Sequence, residues 1–342
     1  MNASIQDLQL SFANFEDRET LYANHPIVTT RFEFPTPPLI RAVDTIVPII
    51  ASGGPGCAFC AYPRFGKSRA INYCCARLPE VFPRDPIISF HAHLETLSNV
   101  RNFFADLYKQ SGYTLKKPIP PRDIRDMVVR AWFMECVSRG SSRIIFFGDE
   151  MQRLTPNEFT WLIDVSNDLE QLGIRMTSIL FGQPELASLR AMLKRSSRGD
   201  IIGRFMSRWF AFDGISSALE LQEVFRCYDD PEHGEYPTDS GLCFTQFFVP
   251  EGYKHGWRLA SCAGLCWELF IQQANERLGR ASSAKVSVGM EWVALAVQYA
   301  LTRFGDEDRP KFAIAKDQWW KAIKSSGFAD SVELTFTSRE ED

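Results

Sequence analysis

The sequence lacks several features that would place it in a specialised class of protein. It has no run of the ~18–20 apolar residues that a membrane span requires, and it has no internal repeat or low-complexity segment. Residues 1–19 mix polar and apolar side chains and do not form a secretory signal peptide. The net charge of −4 excludes a surface coated in positive charge, although a local basic stripe can still bind nucleic acid. We therefore expect a soluble, cytoplasmic protein with no membrane partner.

Cysteine is present, but not in the pattern of a disulfide framework or a zinc site. The nine cysteines are odd in number and lie mostly within apolar runs. Cys57 and Cys60 form a C-x-x-C pair with no second pair elsewhere, and on a strand their side chains would point to opposite faces. We interpret the cysteines as reduced, buried thiols of a cytosolic protein.

The sequence does contain apolar runs that alternate with helical patterns. Continuous runs such as 144–147 and 176–181 predict a parallel sheet that is buried on both faces. After residue 215 the strand signal fades and helical patterns remain. The length of 342 residues allows one large α/β domain and a smaller one. The predicted regions are an N-terminal arm (1–38), an α/β nucleotide-binding domain (39–215), a helical lid domain (216–305) and a loosely held C-terminal tail (306–342).

The first motif is a candidate phosphate-binding loop (P-loop). An apolar strand pattern leads into Ala61-Tyr62-Pro63-Arg64-Phe65-Gly66-Lys67-Ser68, and a helical pattern begins at Lys67. This is G-x-x-x-x-G-K-[ST] with Ala61 in place of the first glycine. Backbone N–H groups at a helix N-terminus bind anions, and the helix dipole favours negative charge there. The alternative is a chance Gly-Lys-Ser sequence in a surface loop.

The P-loop supplies the candidate ligands of ATP and Mg²⁺. We expect the Lys67 ammonium to reach the β- and γ-phosphates, and the Ser68 hydroxyl to help hold Mg²⁺. The residues of this segment that we expect to bind nucleotide are Pro63, Arg64, Phe65, Gly66, Lys67, Ser68 and Arg69.

Polar residues follow two later strands. Asp149 and Glu150 end the run 144–147, at the sheet edge where open α/β folds bind ligands. We expect Asp149 to contact nucleotide-bound Mg²⁺, and Glu150 to act as the general base that activates water. Gln183 follows the next strand and could sense the γ-phosphate or hold the water. The alternative for Asp149 and Glu150 is an acidic pair that only caps the following helix. The alternative for Gln183 is a simple strand-to-helix turn with Pro184 at the first helical position.

Several arginines complete the set of candidates. Arg204, and after it Arg208, could act as an arginine finger that enters the nucleotide site of a neighbouring subunit. Arg258 opens a predicted long helix and could fold back onto the γ-phosphate. The alternatives are a solvated basic face for the first two residues and a salt-bridged arginine at a helix start for the third.

In this order the motifs resemble those of AAA+ ATPases: Walker A, Walker B, sensor 1, arginine finger and a lid with a sensor-2-like arginine. Within that superfamily the chain resembles DNA-transposition regulators of the TnsC/TniB type, over roughly residues 25–280. The segments that carry the resemblance are Thr29-Thr30-Arg31-Phe32, Phe147-Gly148-Asp149-Glu150-Met151-Gln152 and Phe181-Gly182-Gln183-Pro184-Glu185-Leu186. The Gly-Gln-Pro-Glu-Leu box is shared with secretion-type ATPases. Ala61 departs from the family pattern, and because that position makes the turn we expect nucleotide binding to be retained.

The resemblance implies a fold and a set of partners. It implies an AAA+ core with a five-stranded parallel sheet and a helical lid, and an ATPase that acts as a switch. ATP-bound subunits would form a hexameric or heptameric ring, or a filament, on the backbone of double-stranded DNA. The assembly would link a target-selection protein of the TniQ/TnsD type to the transposase subunits, and hydrolysis would reset it. Candidates for DNA contact, or else members of an ordinary exposed loop, are Lys109, Lys116, Lys117, Arg122 and Arg125.

Two other functions stay open. A secretion or signalling ATPase shares the core, but would normally carry a membrane span or a peptidoglycan-binding segment. A scaffold that binds nucleotide without hydrolysing it would not need the general base, so an intact Asp149-Glu150 pair argues against it.

Overall fold

The computed structural model of the protein describes residues 15–94, 99–115, 119–279 and 286–337. A five-stranded sheet has the order β2-β3-β4-β1-β5, and every neighbouring pair of strands is parallel. The strands are β1 (Gly56–Cys60), β2 (Ile87–His91), β3 (Arg143–Asp149), β4 (Arg175–Gly182) and β5 (Arg208–Ala211). The predicted α/β fold with a five-stranded parallel sheet is confirmed.

Helices precede, connect and follow the strands. In chain order they are α1 (Phe15–Asn24), α2 (Pro26–Thr29), α3 (Pro37–Ala51), α4 (Lys67–Val81), α5 (Val100–Gln110), α6 (Pro121–Arg139), α7 (Pro156–Gln171), α8 (Glu185–Arg195), α9 (Gly199–Phe205), α10 (Ala218–Asp229), α11 (Phe244–Phe248), α12 (Pro250–Lys254), α13 (Ala263–Leu278), α14 (Met290–Phe304), α15 (Lys316–Ser325) and α16 (Phe328–Thr337). None of the described helices combines the length and the apolar character that crossing a membrane would require.

The described chain divides into two compact units. One comprises the described residues between 39 and 212, with the sheet, and the other comprises the described residues of 15–38 and 213–337. In the first unit the four residues 144–147 of β3 are fully buried. They are apolar without alternation because helices cover both faces of a parallel sheet. The carboxyl ends of β1, β3 and β4 therefore meet at one sheet edge, and the polar residues that follow them are brought together there.

The N-terminal segment packs within the second unit through His25. Its side chain is fully buried, and its Nδ1 atom accepts a hydrogen bond from the backbone N–H of Ile27 (3.0 Å). Four aromatic rings lie 4.6–4.9 Å from the imidazole, centroid to centroid, and they belong to Tyr236, Phe244, Phe247 and Phe248. Burial lowers the pKa of His25 to about 3, so the ring is neutral at pH 7. The segment around His25, which was predicted to be part of an N-terminal arm, is therefore packed within the second unit.

The structure corrects other local predictions. The pattern of residues 242–248 predicts a strand or a loop, but residues 244–248 form helix α11. At its start the Cys243 sulfur accepts a hydrogen bond from the Gln246 N–H (3.3 Å). Residues 199–205, for which the sequence pattern predicts no element, form helix α9. The predicted loose tail is wrong for α15, where Trp319 is fully buried and stacks on Phe225 with ring centroids 6.1 Å apart.

Candidate nucleotide-binding site

The P-loop follows β1 and opens helix α4, as predicted. Its left-handed residues are Arg64 (φ 66°) and Gly66 (φ 93°), the latter being the N-cap of α4. A Cβ on Gly66 would meet no atom within 4 Å, so glycine is favoured there by its backbone angle and not by space. Phe65 turns its ring into the protein and is 2% exposed, so it can offer a ligand only its backbone. Pro63 and Arg69 are exposed beside the helix start.

Ala61 occupies the place of the missing glycine without a left-handed angle. Its backbone N–H donates to the carbonyl oxygen of Gly182 (2.9 Å), and this bond extends the pairing of β1 with β4 by one residue. The side chain is 2% exposed. An alanine methyl group therefore fits here, and the turn that the sequence predicted for this position begins after it.

Lys67 points from the first turn of α4 toward the sheet edge. Its Nζ atom lies 3.5 Å from the carbonyl oxygens of Ala61 and Tyr62 and 3.8 Å from Oε1 of Glu150. The residue is 7% exposed. Burial lowers the pKa of the Lys67 ammonium, and the negative charges of Glu150 and Asp149 oppose that shift. An anionic ligand in the loop would satisfy an ammonium group that is only loosely held by these oxygens.

The predicted metal ligands are adjacent. The Ser68 hydroxyl donates to Oδ2 of Asp149 at 2.6 Å, although 81 residues separate them in sequence. The same carboxylate oxygen lies 3.4 Å from Nδ1 of His91, the last residue of β2. A hydroxyl and a carboxylate are hard oxygen donors of the kind that Mg²⁺ prefers, so these residues fit the ion.

Glu150 stands at the centre of the polar cluster. Its backbone is left-handed (φ 54°), and its Oε2 atom accepts hydrogen bonds from Nε2 of Gln183 (2.9 Å) and Nε2 of Gln152 (2.8 Å). The Arg153 guanidinium lies 3.2 Å from the same oxygen. Burial raises the pKa of this carboxyl, but the two hydrogen bonds and the charges of Lys67 and Arg153 outweigh burial, and the net shift is downward. The carboxylate is therefore ionised and can accept a proton from water.

Gln152 and Arg153 were not predicted as site residues. The left-handed Glu150 turns the chain into a short 3₁₀ helix, Met151–Arg153, which directs both side chains back to the carboxylate. Oε1 of Gln152 also accepts the backbone N–H of Gln183 (3.1 Å), so this amide bridges the ends of β3 and β4. No sequence pattern signals this, because the arrangement depends on one unusual backbone angle.

The candidate finger arginines lie away from their own P-loop. In α9, Arg204 donates to Oγ of Ser166 (3.1 Å) and Oδ1 of Asn167 (2.9 Å) on α7. Arg208 begins β5 and is the register partner of Cys57 in β1, so it lies at the sheet edge opposite the P-loop. Neither residue is part of the cluster around Glu150.

Arg258 does not lie at the start of the long helix, where it was predicted to lie. It precedes a 3₁₀ turn in extended conformation (φ −139°), and helix α13 begins only at Ala263. Its Nη1 atom donates to the carbonyl oxygens of Tyr253 and Trp257, both at 2.7 Å, and its guanidinium lies 3.5 Å from the Tyr253 ring centroid. The predicted long helix is confirmed from Ala263 to Leu278, but its predicted start at Trp257 is wrong.

The candidate DNA-binding residues lie on two helices. Lys109 is in the last turn of α5, and Arg122 and Arg125 are in the first turns of α6. Arg125 forms an ion pair with Asp168 at 3.4 Å, which neutralises part of its charge. Lys116 and Lys117 lie outside the described residues.

Comparison with known proteins agrees with this architecture. A family model described as AAA domain matches residues 52–189, which contain the P-loop, Asp149, Glu150 and Gln183. No curated protein matches the chain. The ORC2 protein of Aeropyrum pernix in its ADPNP–ADP complexes is 14% identical, with a TM-score of 0.53 over 84% of this chain and 66% of that one. Its ADP form is 13% identical, with a TM-score of 0.55 over 88% and 72%.

These findings define the class of the fold. Residues 52–189 match the AAA-domain model, and the sheet and its flanking helices have the AAA+ P-loop fold. The chain spans just under two thirds of the ORC2 protein in the first of those structures. At such low identity the likeness concerns the fold alone.

Proposed function

We propose that this protein is an ATP-dependent regulator of DNA transposition, of the TnsC/TniB type. Subunits bind ATP, assemble as a ring or filament on the backbone of double-stranded DNA, and link a target-selection protein of the TniQ/TnsD type to the transposase. Hydrolysis of ATP resets the assembly. The observation that carries the ATPase part is the contact of Glu150 with Gln183 beside Lys67 and the Ser68–Asp149 pair.

The chemistry assigned to this site is hydrolysis of the γ-phosphate. Backbone N–H groups of residues 63–69 cradle the phosphates, and Lys67 supplies positive charge to them. Ser68 and Asp149 would hold Mg²⁺, which neutralises charge on the phosphates when it is bound. Glu150 accepts the proton of the attacking water, and Gln183 orients that water or the phosphate. The ORC2 structures are complexes of that protein with ADP and ADPNP, which supports an adenine nucleotide here.

The assembly part of the proposal rests on the arginines and on the sequence resemblance. Arg204, with Arg208 as second choice, would enter the nucleotide site of the next subunit in a ring or filament. Arg258 would contact the γ-phosphate and couple the nucleotide state to the lid. The DNA backbone would be held by Lys109, Lys116, Lys117, Arg122 and Arg125.

The decisive experiment is co-sedimentation with random-sequence duplex DNA. We expect ATP, or a slowly hydrolysed analogue, to bring the protein down with DNA, and high salt to abolish the effect, because phosphate contacts release counterions. A secretion or signalling ATPase would hydrolyse ATP without this DNA dependence. Absent or ATP-independent DNA binding would therefore contradict the proposed regulator.

Replacing Arg204 with alanine tests the finger assignment. We expect ATP turnover by the DNA-bound protein to fall by about 10³-fold or more, with ATP affinity nearly unchanged, because a finger acts on the transition state of a neighbouring site. Phosphate release and equilibrium nucleotide binding measure the two effects.

The matched control is Asn167→Ala, which removes a partner of Arg204 but keeps the arginine. Both variants lose the Arg204–Asn167 hydrogen bond between α9 and α7, so similar melting temperatures are expected. If the two variants also turn over ATP equally fast, Arg204 has only a structural role.

A further inference from the structure

A polar cavity lies at the sheet edge opposite the P-loop, within the same unit. Its volume is about 390 Å³. Arg143 and Arg175, the first residues of β3 and β4, line it and are register partners in the sheet. Arg84 and Asp85, from the segment before β2, complete its charged lining. The amino ends of three neighbouring strands thus place four charged residues around one opening.

The charges in this cavity do not balance. Three arginines face one carboxylate, which leaves an excess of two positive charges. Arg143 donates to Oδ2 of Asp85 through Nε (2.7 Å) and through Nη2, and the Ser141 hydroxyl donates to Oδ1 (2.6 Å). Both oxygens of the carboxylate are therefore engaged, and Asp85 is bonded to neither Arg84 nor Arg175.

Arg143 is fixed, while the other two arginines keep their donors available. Arg143 also donates to the carbonyl oxygen of Ile50 in the last turn of α3 (2.6 Å), and its guanidinium lies 4.9 Å from the Phe82 ring centroid. Within the described residues, no hydrogen bond or ion pair engages the side chain of Arg84 or of Arg175. A Cβ on Gly53 would clash with the Arg175 guanidinium, so that group lies directly against the glycine backbone.

Helix ends offer an alternative reason for arginine at this edge. Helices α4, α6 and α7 all end near the cavity, and the partial negative charge of helix C-termini attracts cations. Arg143 donates to a helix-end carbonyl oxygen, that of Ile50 in the last turn of a fourth helix, α3. The side chains of Arg84 and Arg175 donate to no helix carbonyl among the described residues. Two like charges that line one cavity and are not neutralised repel each other, and a bound anion would offset that repulsion.

We propose that this cavity is a second ligand site, separate from the P-loop, and that it binds a phosphate-bearing ligand. The planar guanidinium groups of Arg84 and Arg175 bind phosphate oxygens through paired N–H donors, and Arg143 supplies fixed positive charge behind them. The volume lies within the usual range of ligand pockets, ~300–1,000 Å³, so it has room for more than one phosphate group. The phosphates belong to a free polyphosphorylated molecule or to a nucleic acid strand.

Binding of inorganic pyrophosphate to the Lys67→Ala protein tests this site. That variant removes the P-loop ammonium and weakens phosphate binding there, and the arginine variants below identify the binding that belongs to the second site, so the result does not depend on the proposed function. We expect saturable binding that weakens about tenfold in Arg175→Gln and in Arg84→Gln, each made in the Lys67→Ala background, because each variant removes a charged hydrogen-bond donor. The control Arg130→Gln, at an exposed position in the middle of α6, should leave the affinity unchanged.

The outcomes separate the alternatives. Competition of a short duplex oligonucleotide with pyrophosphate would identify nucleic acid as the source of the phosphates, and lack of competition would identify a free phosphate compound; either result supports the site. Malonate that binds as tightly as pyrophosphate would overturn the assignment to phosphate. So would absence of saturable binding, or equal binding by Arg175→Gln in a protein with unchanged circular dichroism.

Discussion

Replacing Glu150 with glutamine is expected to lower ATP turnover by about 10²–10⁴-fold, the usual contribution of a general base. The amide cannot take a proton from water at neutral pH, but it has nearly the size of the carboxylate. The P-loop backbone, Lys67 and Ser68 are unchanged, so ATP affinity should stay within a few-fold of the original. Single-turnover phosphate release and equilibrium ATP binding measure the two quantities separately.

The matched control is Glu185→Gln. This carboxylate is exposed at the start of α8, two residues after Gln183. Its charge acts on Lys67 less than that of Glu150 or Asp149, and it is hydrogen-bonded to neither Gln183 nor Lys67 in the described residues. It should leave turnover unchanged. If the Glu150→Gln protein hydrolysed ATP normally, Glu150 would not be the base; if neither the original protein nor the variant hydrolysed ATP, the non-hydrolysing scaffold would be the better description.

Acidification is expected to destabilise the unit that contains His25. The folded protein holds this imidazole neutral with a pKa of about 3, whereas an exposed histidine in the unfolded chain has a pKa of about 6.5. Between these values the unfolded chain binds a proton that the folded chain does not. Stability is therefore full above about pH 6.5, and the free energy of unfolding falls by up to about 1.4 kcal/mol for each pH unit below it.

Chemical denaturation at a series of pH values measures this slope. The variant His25→Phe removes the titrating group but keeps a ring within the aromatic cluster, so its free energy of unfolding should depend less on pH. The control is His233→Gln, since His233 is exposed and pairs only with Asp230 in the described residues. If His25→Phe kept the original slope below pH 6.5, another group would be responsible for the acid sensitivity.

Much of the fold could be predicted from local patterns because its strands are buried on both faces. The apolar run 144–147 is typical of a central strand of a parallel sheet. The polar pair Asp149 and Glu150 after it marks the carboxyl end of that strand. Helix α9 was missed because it has two glycines, while α11 was missed because its phenylalanines are typical of strands. The helix that carries Trp319 was missed because most of its neighbours are polar. In each case the helix depends on tertiary packing and not on the local helix propensity of its residues.

The site was predictable only where residue type and chain position sufficed. Lys67, Ser68, Asp149, Glu150 and Gln183 follow strand ends, and parallel strands bring such positions together. The contribution of Gln152 could not be predicted, because it depends on a left-handed residue that is not glycine. The finger role proposed for Arg204 or Arg208 involves a neighbouring subunit, and a single chain does not contain the contacts that would test it.

Ala61 also bears on how P-loops are recognised. Its N–H continues the pairing of β1 with β4, whereas the left-handed angles of the loop fall at Arg64 and Gly66. The first position of the motif is thus part of the strand's end, and what it demands is a small side chain. A search pattern that insists on glycine there overlooks chains of this kind, and a pattern that admits alanine would retrieve them while keeping the Gly-Lys-Ser that the helix start requires.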